Sequence, residues 1–319
     1  MRLSRQIFCL KILILYMGLL NDLQSEIERR SLSTGGWANG TASRAGIETT
    51  CFALMALGKQ ERTRRQAADL LLRLQNPDGS WPAFEGDDPE GCWVTALVAI
   101  ALRHIQSPSI PIEKAARWLL DNKGREARLP WKWKFQTVDR RVQFNPDKYG
   151  WAWFPGTLSW VIPTAVSLIA LRQTFPCCET KKGADRIRLG IEMLHDRACP
   201  QGGWNAGNGI VFGSPLPAHI DATAVALLAL TEDRQPSTRH ALDWLRRTSA
   251  ECRSTYSVAW STLALLAHRD GSADRSVQQL IAGVCSAGSR LNIETLSIAA
   301  IAIKASEGNA NPFAEGARK

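Results

Sequence analysis

Three carboxylates stand at one position of a repeated local pattern, and acid chemistry can be sought there. Asp221 lies in His219-Ile220-Asp221-Ala222-Thr223-Ala224, Glu48 in Ile47-Glu48-Thr49-Thr50 and Glu294 in Ile293-Glu294-Thr295-Leu296. Each opens a run of apolar and small residues. A carboxylic acid that protonates a substrate must be held neutral, which burial or neighbouring acids achieve. A carboxylate at a helix start is pushed the other way, towards ionisation, by the helix dipole and the free N–H groups. The pattern therefore fits a functional cluster of acids and also fits plain helix-start electrostatics. His219, two residues before Asp221, is placed to orient it by a hydrogen bond.

Other groups offer weaker chemistry. Asp87 and Asp88 sit in Phe84-Glu85-Gly86-Asp87-Asp88-Pro89-Glu90. Paired acids can hold Mg²⁺ against a diphosphate, but the flanking Gly and Pro read as a surface turn. His195, Asp196, Cys199, His219 and Asp221 are the residue types that bind zinc, yet their spacing matches no strong zinc pattern. No metal and no other cofactor is called for.

The elements that must position these groups are legible as an internal repeat. The segment Ile220–Leu230 aligns without gaps with Ile47–Leu57 and Ile293–Ile303, and looser copies begin near Cys92, Val161 and Tyr256. In the copy near Tyr256 the register is ambiguous by one residue, with Ala259 taken as the counterpart of Thr223. Each copy is apolar nearly all round, so each predicts a helix buried on every side. Before each comes an amphipathic stretch: 21–30, Thr63–Leu74, Ile112–Leu120, Arg186–Leu194, Thr238–Leu245 and Ser276–Val284. Six outer and six inner helices in strict alternation predict an all-α toroid, (α/α)6. Inner helices that all run the same way would gather Glu48, Asp221 and Glu294 at one mouth.

Turns between outer and inner helices carry a second signal. Gln75-Asn76-Pro77-Asp78-Gly79-Ser80-Trp81 is the fullest form, with Gly35-Gly36-Trp37 and Gly202-Gly203-Trp204 as shorter ones. The glycines turn the chain and the Trp packs across the hairpin. Regular spacing breaks at 124–160, an aromatic insertion holding Trp131, Trp133, Trp151, Trp153 and Trp160 among several Lys and Arg. Its rings suit the wall of an apolar cavity or the stabilisation of a cation, or a lid that plugs the ring.

The QW turn, Gln75 to Trp81, followed by the Thr-Ala-containing helices, resembles the superfamily of squalene–hopene cyclases and protein prenyltransferase β subunits, from about Asn21 to Lys304. That resemblance implies a toroid whose central cavity holds an isoprenoid. Class II cyclases of the family donate a proton from the middle Asp of D-x-D-D-T-A. The corresponding hexad here is His219 to Ala224, which puts Asp221 at the donor position, with His219 and Ala222 replacing the first and last acids. The resemblance implies Asp221 as acid with His219 as its orienter, and Glu48, Glu294 and Trp131, Trp133, Trp151, Trp153 and Trp160 as substrate-binding residues. Loss of the flanking acids leaves open a non-catalytic isoprenoid-binding protein or a scaffold. The prenyltransferase zinc ligands do not fall on matching positions, and the C-G-E-Q thioester of complement-like toroids is absent.

Composition sets the remaining bounds. The 319 residues and 45% hydrophobic content suit a large core, and a net charge of +9 suits an anionic ligand, a membrane surface or no specific partner. Nothing resembles a nucleic-acid motif. A second toroid, as domain or subunit, is compatible with the family, whose squalene cyclases use two. Eight scattered cysteines without a CxxC pair read as free thiols in a reducing, cytoplasmic setting. Residues 1–20 form an apolar N-terminal segment that reads as an extra helix, a signal or a membrane-surface anchor. Residues 21–306 read as the single toroid and 307–319 as a C-terminal tail.

Overall fold

The computed structural model describes residues 18–40, 42–58, 61–137, 143–174 and 180–314. Residues 1–17, most of the apolar N-terminal segment, lie outside the described residues, as do 315–319. The inner helices are α2 (Ile47–Ala56), α4 (Val94–His104), α7 (Val161–Gln173), α9 (Ile220–Ala229), α11 (Thr255–Ala267) and α13 (Ile293–Ser306). The outer helices are α1 (18–29), α3 (Glu61–Arg73), α5 (Ser109–Asp121), α8 (Lys181–Asp196), α10 (Pro236–Ser249) and α12 (Ala273–Ala287). A short helix, α6 (Leu129–Thr137), belongs to the insertion. The only strands among the described residues are β1 (Ile210–Val211) and β2 (Ser214–Pro215), a small hairpin between α8 and α9.

The inner helices pack in the order α2, α4, α7, α9, α11, α13, and α13 returns to α2. The ring is closed, as the alternating pattern predicts. Nine of the ten residues of α2 are buried, and eight of ten in α9, because each touches an outer helix and two inner neighbours. The outer helices bury one stripe, as α3 does with Thr63, Ala67, Leu70 and Leu71. First and last hairpins are latched by Arg30, whose guanidinium donates to the carbonyls of Leu291 (2.7 Å) and Ser289 (2.9 Å).

One hydrogen-bonded device recurs at four of the six hairpins. The indole N–H groups of Trp37, Trp81, Trp151 and Trp204 donate to the carbonyls of Ile27, Leu71, Leu119 and Leu194, at 2.6–2.8 Å. Each of those carbonyls lies in the last turn of the preceding outer helix, where helical partners run out. The backbone N–H of each Trp donates to the hydroxyl of Thr50, Thr95, Thr164 or Thr223 on the following inner helix, at 2.8–3.1 Å. Thus the repeated Thr exists to receive the turn. Gly79 needs its positive φ of 94° and has no room for a Cβ, which would sit 2.7 Å from the Lys114 backbone. Gln75 ties this turn to α5 by donating to the Pro111 carbonyl at 3.0 Å.

The insertion is anchored by buried charge. Glu126, fully buried, accepts the Ser159 amide at 3.3 Å and lies 3.8 Å from Arg197. Arg186 donates to the carbonyls of Asn122, Tyr149 and Gly150 and stacks 3.4 Å from the Trp151 ring centroid. Burial pushes its pKa down to about 9.

Residues 307–314, the described part of the expected tail, pack against the toroid. Asn311 donates to the Leu263 carbonyl, Gln173 donates to the Pro312 carbonyl, and Phe313 is 2% exposed. This segment fills the end of the ring where the inner helices finish.

Candidate functional site

At the opposite end, where the inner helices begin, the ring encloses a cavity of about 200 Å³. Its wall is two tiers of side chains, spaced one helical turn apart. The upper tier is Glu48, Trp93, Ile162, Asp221 and Tyr256, and the lower is Phe52, Leu97, Val166, Val225 and Trp260. Each lower residue is four positions after an upper one on the same chain segment, the spacing that stacks side chains on one face of a helix. The tiers also fix the ambiguous register: Tyr256, not Ser257, is the counterpart of Asp221, so Val258 rather than Ala259 takes the place of Thr223.

Aromatic rings dominate the wall. Trp260 meets Phe52 edge-on at 5.8 Å between centroids and lies 6.4 Å from Tyr256. Phe313 packs behind these rings, 5.0 Å from Trp260 and 6.4 Å from Phe52. The insertion contributes Trp153, which stands at 84° to Trp93 with centroids 4.9 Å apart and accepts the Trp93 backbone N–H at 3.0 Å.

The three carboxylates gather at this mouth. Glu48 and Asp221 line the cavity. Glu294, on the neighbouring α13, accepts a hydrogen bond from the Thr49 hydroxyl at 3.0 Å. Burial raises the pKa of the Tyr256 phenol and the charges of all three add to it, against a hydrogen bond with Trp260 that lowers it. Their environments differ. Burial, reinforced by the negative charge of Glu294, pushes Glu48 up to about 7, so its carboxyl is largely neutral below that pH. The cause is that the cavity wall offers it no cation and little water.

The remaining expected site residues lie elsewhere. His219 caps α9 through its backbone only and its side chain is exposed; the toroid wall has no place for it. Trp151 is the turn residue of the third hairpin, held by its hydrogen bonds to Leu119 and Thr164. Trp131 is clamped between Arg125 and Lys134, each 4.8 Å from its ring centroid, and Trp133 is 64% exposed. Trp160 precedes α7 and packs towards Gly207. None of these five lines the cavity. Tyr256, Trp260, Phe52 and Trp93 do, and sequence reasoning passed over them as ordinary core residues.

Among the described residues, no group of three or more His, Cys, Asp or Glu is arranged to hold a metal ion. His195 bonds Ser237 at 2.8 Å and lies 3.5 Å from Asp233, while Asp196 pairs with Arg197. Cys51, Cys92 and Cys199 are buried free thiols. No described helix is long and apolar enough to cross a membrane. Two larger basins, about 510 and 940 Å³, lie at the far end of the ring. They are lined mainly by polar and charged groups such as Arg103, Arg234 and Arg269, and have none of the aromatic wall.

Comparison with known proteins supports the architecture. No family model and no curated protein matches the sequence. Among solved structures, the type II terpene cyclase MstE from Scytonema superposes with a TM-score of 0.53 at 15% identity, covering 86% of this chain and 79% of that one. The ent-copalyl diphosphate synthase from Streptomyces platensis gives 0.53 at 19% identity over 81% of this chain and 50% of the synthase. An alpha-amylase from Clostridium perfringens gives 0.64 at 8% identity over 90% and 97%. The chain has the terpene-cyclase-like helical toroid. Because a protein titled an alpha-amylase shares that fold as well, the chemistry has to be argued from the cavity.

Proposed function

We propose that the toroid binds a short isoprenoid in this cavity and starts its cyclisation by proton transfer from a carboxylic acid at the mouth. The observation that carries this is the pairing of an aromatic-walled cavity with Glu48 and Asp221 as the carboxylates lining it. Apolar walls accept a hydrocarbon chain, and the π faces of Phe52, Trp93, Trp153 and Trp260 suit a carbocation formed inside. A sugar would instead need a hydrogen-bonding partner for each hydroxyl, which these walls do not supply. Asp221 occupies the position where the resembling cyclases carry their donor, and Glu48 occupies the same position half-way round the ring. His219 has no part in this reading.

The size of the cavity sets the substrate class. Drug-sized ligands occupy clefts of roughly 300–1,000 Å³, and about 200 Å³ suits a chain nearer ten carbons than thirty. A second reading, an isoprenoid-binding protein without catalysis, rests on the replacement of the flanking acids by His219 and Ala222.

Incubation with prenyl alcohols and diphosphates of ten, fifteen and twenty carbons, followed by mass spectrometry and a binding titration, separates the two. Acid-initiated catalysis predicts a cyclic isomer from the shorter members, lost in the double variant Glu48→Gln, Asp221→Asn. Saturable binding with no product between pH 5 and 8 would establish the second reading. No binding to any member would sink both.

A further inference from the structure

We infer that the larger basin at the far end of the ring is a binding site for a polyvalent phosphate ligand, held by Arg103, Arg234 and Arg269. The site is separate from the cavity at the mouth and independent of any chemistry there.

The inner helices finish at this end, so their last carbonyls present partial negative charge. Some of the cations nearby answer those carbonyls. Lys304 donates to the carbonyls of Met55 (3.2 Å) and Leu57 (3.4 Å), Arg172 donates to the Ala229 carbonyl, and the His268 ring bonds the Leu227 carbonyl at 2.9 Å. Arg103, Arg234 and Arg269 do not. All three are exposed, and their guanidinium groups make no hydrogen bond or ion pair among the described residues. They line one basin of about 940 Å³, whose described wall holds one acid, Glu232. Cations beyond those that the helix ends use are thus concentrated on one concave surface.

Backbone conformation points the same way. Helices α4, α11 and α13 end in the same pair of hydrogen bonds. In α11 the Asp270 N–H donates to the Leu265 carbonyl at 2.9 Å and the Arg269 N–H to the Leu266 carbonyl at 3.0 Å. Ser107 and Gln106 do the same towards Leu102 and Arg103, as do Asn309 and Gly308 towards Lys304 and Ala305. This closure puts one residue in the left-handed region, where glycine is free of strain. Helix α13 places Gly308 there, with φ 85°, but α11 places Arg269, with φ 52°, and α4 places Gln106, with φ 58°. A long side chain kept at such a position carries a conformational cost, and such costs persist where the side chain serves a site. Arg269 lines the larger basin and Gln106 the smaller one, and Arg103 lines both.

The donors define the ligand. Guanidinium forks match the paired oxygens of phosphate and carboxylate. Three forks exceed what one carboxylate accepts, whereas two linked phosphates offer oxygens to all of them. Glu232 on the same wall opposes weakly charged anions and so favours polyvalent ones. A basin of about 940 Å³ falls within the roughly 300–1,000 Å³ of small-molecule sites, which leaves room for the group that carries the phosphates. The other end of the ring, with Glu48, Asp221 and Glu294, repels such a ligand. A soluble phosphorylated molecule and a lipid headgroup share this chemistry.

Calorimetric titration of the full chain with inorganic pyrophosphate and inorganic phosphate, at fixed ionic strength, tests the site. Urea denaturation without ligand checks that each variant folds. Pyrophosphate should bind about tenfold or more tightly than phosphate, the span of an added charged hydrogen bond. Arg234→Gln and Arg269→Gln should each weaken pyrophosphate by about the same factor. Arg65→Gln on α3 removes the same charge outside the basin and should change nothing. Arg269→Gly should lose binding as Arg269→Gln does and yet raise the urea midpoint, because glycine relieves the left-handed residue. Sedimentation with phosphatidylcholine vesicles, with and without phosphatidic acid, separates the two sources. Retention on the acidic vesicles that pyrophosphate releases and Arg269→Gln abolishes assigns a lipid headgroup, and pyrophosphate binding without retention assigns a soluble ligand. Absence of both pyrophosphate binding and retention overturns the site. So does a loss in Arg65→Gln equal to that in Arg269→Gln, and equal affinity for the two anions overturns the polyvalent ligand.

Discussion

Glu48 and Asp221 occupy one repeat position, yet the ring surrounds them differently. For Glu48 burial dominates and Glu294 adds a like charge from the adjacent helix, which together outweigh the helix start. That raised pKa is also a stability statement. The unfolded carboxyl ionises near its ordinary 4.5, the folded one near 7, so between those values the unfolded chain binds fewer protons than the folded one. Stability therefore falls as pH rises across that window and levels off above it, by up to about 3 kcal/mol from this group. Urea denaturation at pH 4.5, 6 and 8 should show this slope in wild type and its loss in Glu48→Gln. An identical slope in the variant would assign the pH dependence to other groups. Repeat alignment reveals that an acid stands at this position, but its ionisation depends first on burial in the closed ring and then on Glu294, some 250 residues away in sequence. The place of Trp260 in the cavity wall is equally invisible, because a Trp on an apolar helix reads as core until the ring has closed around it.

Within the hairpins, the unit of construction is a Trp at the turn and a Thr on the inner helix. Sequence reading identified three of these turns from their glycines and missed the fourth because the insertion disguised it. The signal was nonetheless present: Trp151 precedes Thr164 by 13 residues, as Trp37 precedes Thr50 by 13 and Trp81 precedes Thr95 by 14. An aromatic count over the insertion suits a cavity wall and a plugging lid alike, whereas pairing each Trp with a downstream Thr separates Trp151 from Trp153. Thr164→Val keeps the shape of the side chain and removes the hydroxyl that receives the Trp151 amide. The buried N–H left behind should cost about 1–3 kcal/mol, read as a lower urea midpoint at unchanged m. Thr262 has no turn Trp to receive and bonds the Val258 carbonyl on its own helix and the Ser276 hydroxyl. The matching Thr262→Val should therefore leave no buried backbone N–H unpaired, and its cost should be smaller. Equal losses from both would mean that the turn device adds nothing beyond burial of the hydroxyl.

Across the molecule, alternation of amphipathic and all-apolar segments fixed the ring, because six inner helices with no wet face can bury themselves only by closing on one another. The alternation is silent on what stops the two ends. One is the acidic mouth; the other is sealed by the chain beyond α13, which composition marks as a tail of Asn, Pro and Gly. Its single large apolar residue, Phe313, packs against Phe52 and Trp260, two rings of the lower tier of the cavity wall, and so backs the wall there. Phe313→Ala should therefore enlarge the cavity and shift its preference towards longer chains. In a binding titration with prenyl alcohols of ten, fifteen and twenty carbons, the optimum should move up by one five-carbon unit or more. The same substitution should cost about 3–5 kcal/mol of stability, because little else can collapse into the space of a buried ring, and a longer bound ligand should restore part of that loss by filling it. Phe313→Leu, which keeps most of the volume, should move neither property far. An unchanged chain-length optimum in a folded Phe313→Ala protein would show that the cavity is bounded by the inner helices alone.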